Sequence, residues 1–362
     1  MAGNEELLAR LARATLSINT GAPRGRCRLC RYCVAADLSA WPNVELITDA
    51  EFEAQLDAIG QRPPTGNRRI WFGYLEPLAH PRLCDFVEAT VRRFPKSRVF
   101  VVTSGLPLTP ERAERLSSMP EVDIGIAVNT LDPDVRTLLY GAPARTNIDY
   151  ALKHLPRVGI AITDCGSAEL AERDLDEIAK LRGGRPASPL LIRRLEHTRF
   201  SPSDIVSLSK ASIASLPRTI ERVLDRVDVY STTDFDSILR FGPEKSEIDG
   251  GLLPPGYPSA VHECIRESLT RGIVFCSAPA SFPYWRRELA PYGDAVAVVR
   301  TENTALGGSL DCAGLMTVAD AFRAAAGLGG RVLFLPKLMF GDIDQDVLGF
   351  RIGDLPAHCR VV

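Results

Sequence analysis

The sequence predicts an α/β protein built on a parallel sheet or barrel, followed by a second, smaller α/β unit. Three observations carry this. Strand-like apolar runs alternate with amphipathic helical stretches, which argues parallel strands joined by helices and not an antiparallel fold. The alternation yields six strand–helix units before it breaks, too few for a closed eight-stranded barrel. The break is a Gly/Pro-rich stretch from Asp236 to about Leu269, after which alternation resumes. The expected division is a barrel over 1–235, a linker or covering loop over 236–271, and an α/β domain over 272–362.

The elements follow in order. Ala14-Thr15-Leu16-Ser17-Ile18-Asn19 is the first strand, and the apolar run Asn43 to Thr48 precedes a helix around Asp49 to Ile59. Arg69 to Tyr74 reads as a strand and Pro81 to Phe94 as a helix with apolar residues at helical spacing. Arg98 to Ser104 is a Val-rich strand. Thr109-Pro110-Glu111 then opens a helix with a cap, a first-turn proline and an acid. Val122 to Asn129 is the next strand, and Asp132 to Leu139 and Asn147 to Leu155 are helical. Val158 to Thr163, the helix Ala168 to Leu181, and Leu190 to Leu195 complete the series. Right-handed crossovers gather every strand end on one edge. The second unit reads as strand Gly272 to Cys276, helix Tyr284 to Leu289 and strand Ala295 to Arg300. The apolar run Leu310 to Met316, helix Val318 to Ala325 and strand Arg331 to Leu335 follow.

Cys27-Arg28-Leu29-Cys30-Arg31-Tyr32-Cys33 is the most informative stretch. It lies just beyond the first strand, at the edge where α/β sheets build their sites. Three thiolates cannot fill the four-ligand shell of a structural zinc, but they can hold three irons of a four-iron cluster and leave the fourth open. The alternative is a zinc site completed by His80 or Cys84.

This loop resembles that of the radical S-adenosylmethionine (radical SAM) enzymes, in which C-x3-C-x2-C follows the first barrel strand. The spacing here is C-x2-C-x2-C, one residue shorter in the first step. The resemblance implies a partial (β/α)6 TIM-type barrel, a [4Fe-4S] cluster on Cys27, Cys30 and Cys33, and S-adenosylmethionine as cofactor. It also implies an electron donor such as flavodoxin or ferredoxin, and a radical reaction on a small-molecule or peptide substrate. Tyr32 matches the aromatic that packs near adenine. Trp71-Phe72-Gly73-Tyr74-Leu75-Glu76-Pro77-Leu78 is similar to the family's G-G-E-P segment, so Glu76 is the expected receptor of the methionine ammonium, with Tyr74-Leu75 replacing the two glycines. Thr103 and Ser104 fall where the family has a polar turn, and Asn129 where it places a ribose ligand. Arg193 and Arg194 are adjacent in the sixth strand. Alternation sends one inward, and Arg193 is the candidate for the methionine carboxylate. Cys165, just after the fifth strand, is a candidate hydrogen-atom donor. Each has a plainer reading: a helix N-terminal acid favoured by the macrodipole for Glu76, turn formers or caps for the polar residues, an ion pair for the arginines, and apolar filler for Cys165. Thr301-Glu302-Asn303, Leu306-Gly307-Gly308, Ala313 to Asp320 and Leu335 to Met339 resemble a domain of unknown function that follows certain radical SAM barrels. Two rival functions remain: a non-catalytic zinc- or cluster-binding protein, and a cluster enzyme that transfers an alkyl group.

Composition agrees with a soluble globular chain, at 45% hydrophobic and 24% charged residues. A net charge of −2 leaves no nucleic-acid footprint, the cluster Arg24, Arg26, Arg28 and Arg31 excepted. No stretch of about 18 apolar residues predicts a spanning helix, and the acidic N-terminus does not read as a signal peptide. Nine cysteines, an odd number and mostly scattered, suit a reducing compartment. The expected location is cytoplasmic, with neither membrane nor nucleic acid as partner.

Overall fold

The computed structural model describes residues 15–17, 30–33, 46–61, 69–73, 76–185, 187, 189–231, 246–247, 257–337, 339–340, 346 and 348–362. Eight parallel strands pair in chain order: β1 (Thr15–Ser17), β2 (Arg69–Phe72), β3 (Arg98–Thr103), β4 (Val122–Asn129), β5 (Gly159–Asp164), β6 (Leu190–Arg194), β7 (Val229–Ser231) and β8 (Ser246–Glu247). Among the described residues the sheet begins at β1 and ends at β8 without closing. It is a curled half-barrel. The six expected strands are present; β7 and β8, of three and two residues, are too short to leave a pattern in the sequence.

The helices between them are α1 (Asp49–Gln61), α2 (Leu83–Arg93), α3 (Pro110–Ser117), α4 (Pro133–Tyr140), α5 (Thr146–His154), α6 (Ala168–Leu181) and α7 (Ser203–Val223). Their starts follow local chemistry. The Thr109 side chain accepts from Arg112 N with Pro110 in the first turn, Asp132 accepts from Asp134 N and Val135 N, and Ser167 accepts from Leu170 N. Gly141 ends α4 in the left-handed conformation at φ 74°. The long α7 was not anticipated, because Pro217 and five serines dilute its helical signal.

One face of the sheet carries Ile70, Phe72, Val99, Val101, Ile124, Ile126, Ile160, Ile162 and Ile192, packed on Phe86, Val87, Leu116, Leu152, Leu175 and Ile220 of the helices. The other face is concave. Its floor is the Trp71–Phe100 pair, ring centroids 4.6 Å apart. A Cβ at Gly125 would stand 2.8 Å from the Phe100 ring, so a glycine lets the aromatic lie flat across β4.

Asp174 of α6 is buried beneath the sheet edge. Its Oδ1 accepts from Leu131 N at 2.9 Å, while Oδ2 has no partner. Burial pushes its pKa up to about 6. A carboxyl raised above its unfolded value contributes stability below that value, and this is lost as pH rises through about 6. The expected result is a fall in unfolding free energy of up to about 3 kcal/mol between pH 4 and pH 8 from this group alone. Asp174→Asn should remove most of that slope in urea titrations. An unchanged slope would show that the carboxyl is not strained by burial.

The C-terminal unit is a second parallel sheet in the order β10-β9-β11-β12: β9 (Ile273–Ser277), β10 (Val296–Arg300), β11 (Val332–Leu335) and β12 (Cys359–Val361). Helices α8 (Tyr257–Ser268) and α9 (Phe282–Glu288) cover one face through Val261, Ile265, Trp285 and the neighbouring Leu289. Helix α10 (Val318–Ala324) covers the other through Val318 and Ala321. Three features differ from expectation. Helix α8 lies inside the segment taken for a linker; the glycines and prolines before it hid the i, i+4 pair Val261 and Ile265. The Leu310–Met316 run holds only the 3-10 turn Ala313–Leu315. Strand β12 is short and half-buried, and was missed.

The loop after β10 docks on the loop after β6. Arg199 N donates to Leu306 O at 2.9 Å, Ser309 N to His197 O at 3.0 Å, and His197 N to Ser309 Oγ at 3.0 Å. A Cβ at Gly308 would fall 2.1 Å from His197 O, so only glycine permits this approach. The C-terminal unit therefore touches the barrel at the edge where the strands end.

Candidate active site

The C-terminal ends of the strands bring most of the candidate residues to one edge. Cys30 and Cys33 are half-buried in a tight turn in which Cys33 N donates to Cys30 O at 3.3 Å. None of the described cysteines is in a disulfide. Arg31 anchors the turn: its N donates to Leu139 O at 2.8 Å, and its guanidinium pairs with Asp204 at 2.8 Å. Two soft thiols held together at the sheet edge suit iron–sulfur ligation. Cys27 lies outside the described residues, as do Tyr74 and Leu75.

The alternative zinc ligands are occupied otherwise. His80 Nδ1 accepts from Arg82 N at 3.1 Å, which leaves Nε2 to donate to Ile47 O, also at 3.1 Å. Neither nitrogen keeps a lone pair for a metal. Cys84 is buried in the apolar core on α2, and burial raises its thiol pKa.

Tyr32 packs against an apolar cluster of Leu139, Cys165, Leu170, Leu195 and Ile205, and its ring meets Tyr140 edge-on with centroids 5.9 Å apart. Asn129 joins the two phenols. Its Nδ2 donates to Tyr32 Oη at 2.6 Å and to Tyr140 Oη, and its Oδ1 accepts from Thr163 Oγ1 at 2.7 Å. The Ala127 carbonyl, which can only accept, lies 3.4 Å from Nδ2 and fixes which end of the amide carries the donors. Burial, then the charges of Tyr140 and Cys30, raises Tyr32 well above its usual pKa; burial and the charge of Cys30 raise Tyr140 to about 12, against hydrogen bonds from Tyr32 and Asn129 that lower it. Both stay protonated and able to donate.

Glu76 is buried and receives four hydrogen bonds: Oε1 from Thr103 Oγ1 (2.7 Å) and Leu78 N (3.2 Å), Oε2 from Ser104 N (2.8 Å) and Ser104 Oγ (2.6 Å). The carboxylate thus ties the end of β2 to the end of β3 and caps the 3-10 turn Pro77–Ala79. Burial raises its pKa, and the four donors partly offset this. Thr103 and Ser104 are engaged with Glu76.

Register pairs Arg193 with Thr163, on the concave face, where Arg193 is exposed. Arg194 points the other way with its side chain 7% exposed, pairs with Glu196 at 2.8 Å and Asp311, and donates to Ser309 O at 3.2 Å. The ion-pair reading of the arginines applies to Arg194. Cys165 donates to Thr163 O at 3.4 Å inside the apolar cluster, and burial raises its thiol pKa strongly. That placement favours packing over hydrogen-atom delivery.

Sequence reasoning missed Tyr140, Thr163 and Arg136. A signal existed for two of them: Arg136, Leu139 and Tyr140 share one face of α4 at i, i+3, i+4, and an arginine beside Leu139 on a buried face is unusual.

The described residues thus form an open parallel half-barrel with thiols on the loop after its first strand and polar residues at the strand ends. Residues 18–181 match the family model described as the radical SAM superfamily. No curated protein matches the chain. Among solved structures, SuiB of Streptococcus suis bound to S-adenosylmethionine is 15% identical over 58% of this chain and 47% of its own, with TM-score 0.44. SuiB bound to its precursor peptide SuiA is 16% identical over 62% and 49%, TM-score 0.43. Native anSMEcpe with bound AdoMet and a Kp18Cys peptide is 15% identical over 57% and 59%, TM-score 0.44. The chain spans about half the length of the SuiB structures it matches.

Proposed function

We propose that the chain uses S-adenosylmethionine, with a [4Fe-4S] cluster held by Cys27, Cys30 and Cys33, to start a radical reaction on a small-molecule or peptide substrate. The observation that supports this most is the meeting of the Cys30–Cys33 turn with the Tyr32–Asn129 pair, inside the segment that matches the family. Held by Cys27, Cys30 and Cys33, the cluster would supply the electron for reductive cleavage of S-adenosylmethionine. The chain's own part is to bind and orient. Tyr32 offers its ring to adenine, and the phenols held by Asn129 offer hydroxyls to the ribose. Arg193 supplies a guanidinium for the methionine carboxylate. Glu76 receives the ammonium by releasing the Ser104 hydroxyl from Oε2, so Thr103 and Ser104 act through Glu76. The loop docked beside β6 keeps water from that side of the mouth. A cytoplasmic setting and a flavodoxin- or ferredoxin-type donor fit the demand for a strong reductant.

The test is anaerobic reconstitution with iron and sulfide, then product analysis after reduction in the presence of S-adenosylmethionine. 5′-Deoxyadenosine and methionine support the proposal. Methylthioadenosine points to the alkyl-transfer alternative, and a colourless protein holding zinc points to the non-catalytic one. Glu76→Gln should weaken cofactor binding by about 1.5 to 3 kcal/mol with iron content unchanged. Unaltered binding in the folded variant would return Glu76 to tying the strands together.

A further inference from the structure

We propose that Arg136, on α4, is the positioning residue that holds Asn129, and with it the Tyr32–Tyr140 pair, in place. Asn129 is the only non-glycine among the described residues with positive φ, at 59°. Thr130 N donates to Val128 O at 2.8 Å across it, a three-residue turn of the strained hand. The β4–β5 register slips here as well: Ala127 pairs with Ala161, and Asn129 with the next residue, Ile162. Asparagine tolerates the left-handed region better than most side chains, yet such a conformation persists only when its surroundings impose it.

Arg136 supplies that constraint. Its Nη1 donates to Val128 O at 3.0 Å and Thr130 O at 2.9 Å, the carbonyls on either side of Asn129. Nε and Nη2 both reach Ala144 O, at 3.2 and 2.6 Å, in the loop after α4. The guanidinium also lies over the Tyr140 ring, 4.8 Å from its centroid. Arg136 is fully buried, and its bonds go to carbonyls, not to a carboxylate. A buried cation with no carboxylate hydrogen-bonded to it is costly, and burial lowers its pKa. An apolar side chain could fill the same space more cheaply, but it could not grip both carbonyls beside Asn129. One side chain thus fixes the backbone of Asn129 and the face of Tyr140, the two partners that meet the hydroxyl of Tyr32.

The functional arm of this proposal rests on the radical SAM reading; the positioning arm does not. Two measurements separate them. In apoprotein labelled with 15N-asparagine, the Asn129 side-chain amide, assigned by its disappearance in Asn129→Gly, should shift or broaden in Arg136→Met. In reconstituted protein, Arg136→Met should raise the dissociation constant of S-adenosylmethionine about tenfold at unchanged iron content. Glycine adopts the turn without strain and carries no amide. In the Asn129→Gly background, therefore, adding Arg136→Met should change that constant by less than about threefold. If Arg136→Met does not fold, Arg136→Lys replaces it in the same cycle. An ammonium has three N–H donors but on one nitrogen, without the fork that reaches Ala144 O from two others, so a smaller loss with the same coupling is expected. Equal losses in both backgrounds, or an unmoved Asn129 amide in a folded variant, overturn the proposal. If the native protein does not bind S-adenosylmethionine, the functional reading fails, and the amide resonance alone decides the positioning role.

Discussion

Cys30→Ala and Cys33→Ala should each leave the reconstituted protein without its iron and sulfide, whereas Cys84→Ala should keep both. A three-thiolate site has no spare ligand, so losing one removes the geometry as well as a bond. Cys84 sits in the core on α2, and its removal costs only packing. Anaerobic iron and sulfide determination reads the result directly. A full cluster in either loop variant would sink the assignment, and loss in Cys84→Ala would favour a four-ligand site. The same assay on Cys27→Ala tests the third expected ligand.

The second large effect is expected at the contact between the two sheets. Arg194 is nearly fully buried between Glu196 and Asp311. Arg194→Met leaves two carboxylates facing each other without their cation. Removing one partner of a buried pair typically costs about 3 to 5 kcal/mol. The carboxylates here are 27% and 20% exposed, so water absorbs part of that. The expected loss is about 2 to 3 kcal/mol in the first denaturant transition. Adding Asp311→Asn should recover some of it by removing the repulsion. An unchanged midpoint would mean that the pair is not what joins the sheets.

The strands most legible in the sequence were those buried on the helix face. Ile70 and Phe72, Val99 and Val101, and Ile160 and Ile162 make the alternation easy to see. The helix starts at Thr109 and Asp132 were written in capping chemistry. The segments that failed did so for local reasons. Pro217 masked a helix that tertiary packing completes, and the glycines ahead of Tyr257 masked another. At the site, single residues were easier to find than their partners. Glu76, Asn129 and Tyr32 stand at strand ends or beside a thiol, positions a reader can locate. Nothing in the sequence says that Ser104 and Thr103 are bound to Glu76. Nor does it say that an amide unites two phenols 108 positions apart. Such pairings depend on how strands are registered, and register is a property of the folded sheet.

The loop that docks on the barrel mouth is also the crossover of the small sheet. It leaves β10 and passes over the sheet edge to α10 on the opposite face. Within it Asn303 Nδ2 donates to Leu315 O, and Thr304 N donates to Asp320. The joint is therefore made from a structural member of one of the bodies it joins. Rotation of the small unit about the barrel would have to unpick that unit's own wiring. In kinematic terms the pair lacks a pivot at this contact and should move as one block, with any opening of the mouth supplied elsewhere on the rim.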